Sequence, residues 1–483
     1  MSNRLYVNII LKIISRNLFI MSGALLFCSI IALYYSEDIF PFIYSGIISA
    51  TLGFLIVIKK SPIPNGQSLR KRDAYLTVTL SWIIIGLIGS LPYIFSKTIP
   101  SFTDAVFESV SGFTTTGSSI LTDIESLPKS ILFWRSLTHW IGGIGIIVLV
   151  IIIMPSLQIS SYHLFSLESS LKTKIQPRIK SVGHRILLIY IALTILETIL
   201  LLFGGMNLFE SVCHAFGTIA TGGFSPKNTS IGDYSSYIQY VVMIFMLLSG
   251  TNFIVHYYLF KREFRKVKTN EELKFYLWVV FILGTIITAA IFFNMNKPLE
   301  ESFRESFFQV ISIVTCTGYA TADYMLWPNF AWIIIFFAMF LGGSTGSTAG
   351  GIKMVRHLIV FKNLSRSFRK YLNPNAIINL RLNKKTISNE ANSSILTFIS
   401  IYMLIFLIGS IILIIIGLDF TTAGSSVATC MAGIGPGIGS VGPANNFAHL
   451  PETAKIILTF LMIVGRLEIY TILILFTRNY WRT

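Results

Sequence analysis

Long apolar runs, each of about 20 residues, follow one another along most of the chain and are separated by short polar connections. A helix of about 20 residues is long enough to span the hydrocarbon layer of a bilayer. The first two runs, at 9–35 and 40–58, predict a helical hairpin. The later runs are paired around shorter apolar segments. The pattern therefore predicts an all-α polytopic membrane protein with ten spanning helices and four re-entrant pore helices.

Each later pair predicts the same unit: a helix, a short pore helix, a polar loop and a return helix. The predicted domains are an N-terminal hairpin with a basic loop at 1–72 and pore repeats at 73–182, 183–270, 271–392 and 393–483. The predicted spanning helices of the four units are 74–95 and 130–154, 183–204 and 234–260, 273–293 and 330–361, and 394–418 and 452–476. The predicted pore helices are 102–113, 208–219, 303–314 and 421–431.

The polar loops are similar in sequence. They read SGFTTTGSS at 111–119, IATGGFS at 219–225, VTCTGYA at 314–320 and, more weakly, AGIGPGIG at 432–439. A non-helical backbone at membrane depth must be buried by protein or line an aqueous path. In three units a carboxylate lies thirteen residues before the loop glycine, and in the fourth the spacing is sixteen, which departs from the register. The pairs are Asp104 and Gly117, Glu210 and Gly223, Glu305 and Gly318, and Asp419 and Gly435. The repetition predicts one unit used four times around a single pore.

Composition and charge agree with a membrane protein. The chain has 483 residues, of which 53% are hydrophobic and only 12% charged, about half the charge of a typical soluble domain. The net charge of +16 could indicate nucleic-acid binding, but the basic residues cluster in alternate connections. This positive-inside pattern places four connections, 59–72, 172–185, 261–268 and 353–385, and both termini in the cytoplasm. The first apolar run has no cleavage site and is a retained helix, and the four cysteines predict buried thiols.

The opposite connections are rich in acidic residues. An acidic outer mouth would concentrate cations by focusing the electric field, although ordinary solvated loop charge is the alternative for any single residue. Near the same side, Arg135 is expected to anchor its helix at the membrane surface. The acidic residues are Asp104, Glu108, Asp123, Glu125, Glu210, Asp233, Glu300, Glu301, Glu305, Asp323, Asp419 and Glu452.

The polar loops have the chemistry of a cation filter. A cation that crosses a bilayer must exchange its hydration shell for other oxygens, which backbone carbonyls and Thr hydroxyls can supply. Glycine lets such a loop direct its carbonyls towards a common axis. The stretch from Cys316 to Tyr319 also resembles the TVGYG filter of potassium channels. A GxGxxG pattern at 437–442 lacks the preceding strand that a nucleotide site requires, so it is set aside.

The third return helix is interrupted by LGGSTGSTAGG at 341–351. Its five glycines cost a continuous helix on the order of 1 kcal/mol each relative to alanine. We predict a flexible intramembrane segment that can obstruct or clear the pore. The alternative is a close helix crossing that uses small residues.

Over its whole length the chain resembles the Trk/Ktr/HKT superfamily of cation transporters, and within it the membrane subunit of bacterial Trk potassium uptake systems. The resemblance rests on the hairpin, the four units, the loop glycines and the Gly-rich interruption. It implies uptake of potassium, because the superfamily associates glycine in all four loops with potassium and serine in the first with sodium. It implies a potassium-binding filter of Thr115, Thr116, Gly117, Thr221, Gly222, Gly223, Cys316, Thr317, Gly318, Ile434 and Gly435. It implies a gate that contains the pore-facing Arg466 together with Gly342, Gly343, Ser344, Thr345, Gly346, Ser347, Thr348, Ala349, Gly350 and Gly351. Alternatively, Arg466 could simply form an ion pair with Glu468.

The resemblance also implies a homodimer in the bacterial inner membrane and a cytoplasmic nucleotide-binding regulatory subunit. It implies no catalytic residues, no cofactor and no metal other than the transported potassium. A sodium-coupled or sodium-permeable relative is the alternative function, and channel and symport mechanisms both stay open. A membrane enzyme would need a polar catalytic cluster, and an assembly protein with a vestigial pore would not need intact loop glycines.

Overall fold

The computed structural model describes residues 6–58, 70–148 and 175–482, and these residues are predominantly helical. Residues 59–69 of the predicted connection 59–72, residues 172–174 of the predicted connection 172–185, and the end of the predicted helix 130–154 lie outside the described residues. Within the described residues the strands are limited to Arg381–Leu382 and Lys385–Thr386, which pair as an antiparallel hairpin. The predicted all-α class is therefore confirmed.

Within the ranges that the structure describes, six single helices are long and apolar enough to cross a membrane. They are Val7–Tyr34, Phe40–Ile58, Lys71–Phe95, Ile175–Phe203, Glu271–Met295 and Asn389–Ile416. Two return helices pass the same test only as bent pairs, Ser236–Ser249 with Phe253–Phe260 at 100° and Glu452–Arg466 with Tyr470–Phe476 at 106°. The other two return positions hold Lys129–Val148 and the interrupted pair Asn329–Ala338 and Met354–Leu372. The return helices are thus less regular than the sequence predicts. Short helices lie at Phe264–Lys268, Tyr324–Leu326, Gly439–Val441 and Arg478–Trp481.

The four pore helices are short and enter the protein from one side. They are Phe102–Phe113, Leu208–Ile219, Leu299–Val314 and Phe420–Ala432, here called pore helices 1 to 4. Side-chain caps fix three of the starts, because Ser101, Asn207 and Asp419 each accept a hydrogen bond from the backbone N–H three residues later.

Pore helix 3 begins four residues earlier than predicted, at Leu299 instead of Phe303. Pro298 occupies its N-cap position, and Glu300 and Glu301 lie in its first turn. Carboxylates at this end interact favourably with the helix dipole, so the added turn is stabilised.

The fourth unit keeps the helix-to-glycine spacing of units 1 and 2, although its carboxylate departs from their register. Pore helix 1 starts at Phe102, fifteen residues before Gly117, and pore helix 4 starts at Phe420, fifteen residues before Gly435. The third helical residue is Asp104 in one case and Thr422 in the other. Asp419 is the N-cap of pore helix 4, whereas Asp104 lies within the first turn of pore helix 1. The carboxylate therefore has a different position relative to the helix, while the number of residues from the helix start to the loop glycine is the same.

Glycines let the preceding helix of a unit approach its pore helix closely. A methyl group added to Gly89 would lie 2.4 Å from the ring of Phe113, and one added to Gly284 would lie 2.7 Å from the ring of Phe307. The N-terminal hairpin packs against the first helix of repeat 1. These contacts hold the pore helices, and therefore the loops at their ends, near the centre of the molecule.

Candidate functional site

The four polar loops meet at one place, and each approaches the next through its glycine. Loops 1 to 4 are named here by their units and contain Gly117, Gly223, Gly318 and Gly435. A methyl group added to each glycine would lie close to a carbonyl oxygen of the next loop. The distances are Gly117 to Gly222 (2.1 Å), Gly223 to Thr317 (2.0 Å), Gly318 to Ile434 (1.8 Å) and Gly435 to Thr116 (3.0 Å). The contacts run from loop 1 to 2, 3, 4 and back to 1, so the loops close a ring.

All four loops have the same backbone conformation. In each, the glycine and the residue two positions before it have positive φ; the earlier residues are Thr115, Thr221, Cys316 and Gly433. Positive φ disfavours residues with a Cβ, so loops 1 to 3 each hold one strained residue. The residue between these two positions donates its backbone N–H to the carbonyl of the residue five positions earlier, near the end of the pore helix. These bonds are Thr116 to Ser111 (2.9 Å), Gly222 to Gly217 (2.8 Å), Thr317 to Ser312 (2.8 Å) and Ile434 to Thr429 (3.1 Å).

The donors of the loops are therefore used internally, while their carbonyls are left available. In the described part of the chain, the carbonyl oxygens of Thr116, Gly222, Thr317 and Ile434 accept no hydrogen bond. A cavity of ≈ 200 Å³ lies beside them and is lined by all four loop glycines. Such a ring of free carbonyl oxygens can replace the hydration shell of a cation.

The ring has approximate two-fold symmetry in its hydroxyl groups. In loop 1 the hydroxyls of Thr114 and Thr116 lie 2.8 Å apart, and in loop 3 those of Thr315 and Thr317 also lie 2.8 Å apart. Loops 2 and 4 have Ala220 and Ala432 at the position of Thr114 and Thr315. The predicted Thr221 hydroxyl instead donates to its neighbour's carbonyl, at 2.6 Å.

A buried ion pair, which the sequence did not predict, links loops 1 and 2. Arg135 is 2% exposed and its Nε donates to Glu108 at 2.7 Å, while Glu108 is fully buried. Glu108 also accepts from Ser119 at the end of loop 1, and Arg135 donates to the carbonyl of Ser225 after loop 2 at 3.1 Å. The Arg135 guanidinium also lies 3.8 Å from the centre of the Phe224 ring. Arg135 is thus a positioning residue behind the ring, and the expectation that it anchors at the membrane surface is wrong.

The outer acidic residues are largely ion-paired, which corrects the expectation of an acidic mouth. Among the residues that the structure describes, no carboxylate lines the cavity at the ring, whereas Arg135 and Lys227 do. Two of the six pairs join distant segments of the chain, and three lie within pore helix 3 and the residues just before it. The pairs are Asp104 and Lys455 (2.7 Å), Glu125 and Lys227 (3.4 Å), Glu210 and Lys227 (3.7 Å), Glu300 and Arg304 (2.9 Å), Glu301 and Lys297 (2.9 Å), and Glu305 and Lys297 (2.6 Å).

The Gly-rich run folds into a closed loop between Ala338 and Met354, here called the intramembrane loop. Its two ends meet, because a methyl group on Gly351 would lie 2.7 Å from the Cα of Gly342. Gly342, Gly346 and Gly351 all have positive φ. The helical path is thus fully interrupted here, so the alternative of a continuous helix with a close crossing is excluded.

The intramembrane loop lies against the C-terminal ends of two pore helices. The Thr348 hydroxyl donates to the carbonyl of Ile219, at the end of pore helix 2, at 3.0 Å. A methyl group on Gly350 would lie 1.9 Å from the carbonyl oxygen of Ala432, at the end of pore helix 4. Ser344 donates its N–H to Gly250, in the bend of the second return helix, at 2.8 Å. The predicted gate residues and the loop ring are therefore adjacent.

Two buried charged residues hold the intramembrane loop. Arg466 is 7% exposed and donates to the carbonyls of Thr348 at 2.8 Å and of Gly142 at 3.3 Å. Glu272, which the sequence analysis did not identify, is 1% exposed. Its Oε1 accepts from the N–H group of Thr345, within the loop, at 2.7 Å and from that of Val355, just after the loop, at 3.2 Å.

Glu468, the alternative partner for Arg466, forms an ion pair with Arg356 at 2.7 Å. His214 is packed as a buried polar residue: its two ring nitrogens lie 2.8 Å from the Glu210 carbonyl and 2.9 Å from the Ser225 hydroxyl. Within the described ranges, no three His, Cys, Asp or Glu side chains are grouped in a way that could hold a metal ion.

Comparisons with known proteins agree with this architecture. The model of the family TrkH, described as "Cation transport protein", matches residues 45–483. The chain is 35% identical to the Trk system potassium uptake protein TrkH of Escherichia coli K12 over 98% of this chain and 99% of that protein. It is 36% identical to TrkI of Halomonas elongata over 90% of this chain and 88% of that protein. The crystal structure of the potassium transporter TrkH from Vibrio parahaemolyticus superposes with a TM-score of 0.90 at 30% identity, covering 99% of this chain and 100% of that one.

Proposed function

Because the chain belongs to the TrkH family of cation transport proteins, we propose that it takes up potassium across the bacterial inner membrane through the ring of four loops. It is a multi-pass membrane protein and a transporter, not an enzyme. The observation that carries the proposal is the closed ring, in which each loop glycine touches a carbonyl of the next loop. The relatives named above are potassium uptake proteins, which supports potassium as the cargo.

The filter is the set of residues that the loops bring together. Backbone carbonyls of Thr116, Gly222, Thr317 and Ile434 would replace the hydration shell of a potassium ion as it passes. Glycine at position 117 supports potassium over sodium, because any side chain there would force loops 1 and 2 apart. The ring would then no longer present its oxygens at matched distances.

Flux measurements on the purified chain in proteoliposomes test this function. We expect potassium flux to exceed sodium flux in the natural sequence, and Gly117→Ser to reduce that preference, because the added Cβ would lie 2.1 Å from the Gly222 oxygen. Equal permeation of both ions by the natural sequence would favour a sodium-permeable transporter. Selectivity unchanged in the variant would exclude loop 1 from the filter.

The intramembrane loop and Arg466 form the proposed gate. The loop contacts the ends of pore helices 2 and 4, where an ion that leaves the ring must pass, and the buried charge of Arg466 adds an electrostatic barrier to cations. Glu272→Gln weakens the two hydrogen bonds that hold the loop, so we expect a raised basal flux. Glu271→Gln is the matched control. The side chain of Glu271 is partly exposed and forms an ion pair with Lys362, whereas that of Glu272 is buried and binds the loop.

We further propose that the protein works as a homodimer with a cytoplasmic regulatory subunit that binds nucleotide, with both termini in the cytoplasm. The helix Met354–Leu372 continues directly from the intramembrane loop and has five basic residues and no acidic one. A partner bound to this helix could move the loop. Copurification of the chain with such a subunit, and loss of this association when the basic residues are replaced, would test the assignment.

A further inference from the structure

A cavity of ≈ 850 Å³ opens between the N-terminal hairpin and repeats 1 and 2, at the end of the molecule where the pore helices begin. Its walls come from the end of Val7–Tyr34, the start of Lys129–Val148 and the start of pore helix 2. The volume is within the range of about 300–1,000 Å³ that is typical of pockets for whole small molecules. No step of the proposed transport uses this cavity.

One part of the cavity is apolar. It is lined by Ile31, Leu132, Phe133 and Leu208, and Leu208 is 63% exposed. Tyr34, which is 79% exposed, lies at the rim. Aromatic side chains are enriched at the membrane interface, where an apolar ring can meet lipid while its polar edge meets water. This part of the cavity therefore suits an acyl chain.

The other part of the cavity carries both signs of charge. Lys129 places its ammonium 4.5 Å from the centre of the Tyr35 ring and, among the described residues, forms no ion pair. Glu125 and Glu210 also line the cavity and share Lys227 at 3.4 Å and 3.7 Å, longer than a close charge-assisted hydrogen bond. Glu210 also accepts from the Tyr234 hydroxyl at 2.9 Å, and Glu125 from the N–H of Asn228 at 3.2 Å. The cavity thus offers a cation that has no ion pair among the described residues and two carboxylates whose ion pairs are long.

Glu37 does not add to the available negative charge. Its carboxylate accepts the backbone N–H groups of Lys129 at 2.7 Å and Ser130 at 2.9 Å, and also the Ser130 hydroxyl. It therefore caps the helix Lys129–Val148 and fixes the position of the Lys129 backbone.

We propose that this cavity binds a phospholipid of the outer leaflet with a dipolar, primary-amine headgroup, that is, a phosphatidylethanolamine. Lys129 would bind the phosphate, and Glu125 and Glu210 would accept hydrogen bonds from the headgroup ammonium. The acyl chain would lie along the apolar part. A headgroup with only negative charge would meet the two carboxylates, and a quaternary amine could not donate hydrogen bonds to them.

The bound lipid would also support loop 2. Pro226 and Lys227 line the cavity and follow Gly223 by three and four residues. Their position therefore depends on what fills the cavity. The inference rests on the position of the cavity in the membrane and is independent of which cation passes the ring.

Native mass spectrometry of the purified full chain, with phosphatidylethanolamine, phosphatidylglycerol and phosphatidylcholine added in equal amounts, tests the site. We expect selective retention of phosphatidylethanolamine. Lys129→Gln should reduce that retention about tenfold, the effect of losing one charge-assisted hydrogen bond. Lys97→Gln is the matched control, because Lys97 is an exposed lysine outside the cavity lining.

Leu208→Ser provides a second variant, at a position that is 63% exposed, and should weaken retention through the acyl chain. Equal retention of the ethanolamine and choline lipids would overturn the proposal, as would a preference for phosphatidylglycerol. Retention unchanged in both Lys129→Gln and Leu208→Ser would place the lipid elsewhere. Should Lys129→Gln not fold, the comparison of lipids on the natural sequence and Leu208→Ser still decides.

Discussion

The ring predicts that equivalent glycines tolerate a methyl group to very different degrees. Gly318 and Gly435 occupy the same position in loops 3 and 4, and both have positive φ, 81° and 105°. An alanine at either site has the same type of backbone strain, about 1–3 kcal/mol. The two sites differ in what the new Cβ would meet.

At Gly318 the Cβ would lie 1.8 Å from the Ile434 oxygen and 2.8 Å from Cδ of Pro436. An ordinary van der Waals contact is about 3.5 Å or more, so loop 4 would have to move by roughly 1.5 Å. At Gly435 the nearest atom is the Thr116 oxygen at 3.0 Å, which requires a shift of only a few tenths of an ångström. Gly318→Ala should therefore displace a carbonyl of the ring, whereas Gly435→Ala should leave the ring nearly intact.

The assay is uptake of potassium and sodium by proteoliposomes that contain each variant at matched protein content. We expect Gly318→Ala to lose most of its preference for potassium and Gly435→Ala to keep it. Thermal unfolding in detergent serves as the control, since both variants carry the same backbone strain and should fold. Equal loss of selectivity in the two variants would refute the reasoning, because strain alone would then explain both.

Three further predictions concern buried or capping charges. Glu108→Gln leaves Arg135 buried without a counter-charge and should lower the free energy of unfolding by about 3–5 kcal/mol. Glu300→Gln, at an exposed ion pair, should lower it by at most about 1 kcal/mol. Thermal unfolding of the two variants measures this difference. Arg466→Gln removes the barrier at the intramembrane loop and should raise basal cation flux in proteoliposomes, and unchanged flux would argue against its role in the gate. Asp419→Ala removes a helix cap and should cost about 1 kcal/mol. The Thr421 hydroxyl and its neighbours lower the pKa of Asp419 to about 2 from 3.8, so this difference should persist from pH 7 to 4 and diminish only as the pH falls towards 2.

The ring could be predicted from the sequence because it depends on local repetition. Each loop glycine closely follows the end of a pore helix, and positive φ at the glycine is a property of the loop itself. The closed loop between Ala338 and Met354 was predictable for the same reason, since five glycines within one apolar run are incompatible with a continuous helix.

Most of the features that the sequence did not predict depend on partners from other segments of the chain. Asp104 pairs with Lys455, which lies 351 residues further along the chain, so this outer carboxylate looked unpaired. Arg135 lies near the end of an apolar run, and only packing shows that Glu108 and loop 2 enclose it. Glu272 looked like an ordinary first-turn carboxylate of its helix, but the intramembrane loop folds back onto it.

The interruption between Ala338 and Met354 belongs to one of the four repeats, among the return helices that the structure describes. A channel assembled from four identical subunits has four copies of any gate, and coupling among the copies makes opening cooperative, with a delay before current flows. Here a single element stands below a ring of four loops. Activation should then follow one exponential without an initial lag, and two copies of this chain side by side should open independently.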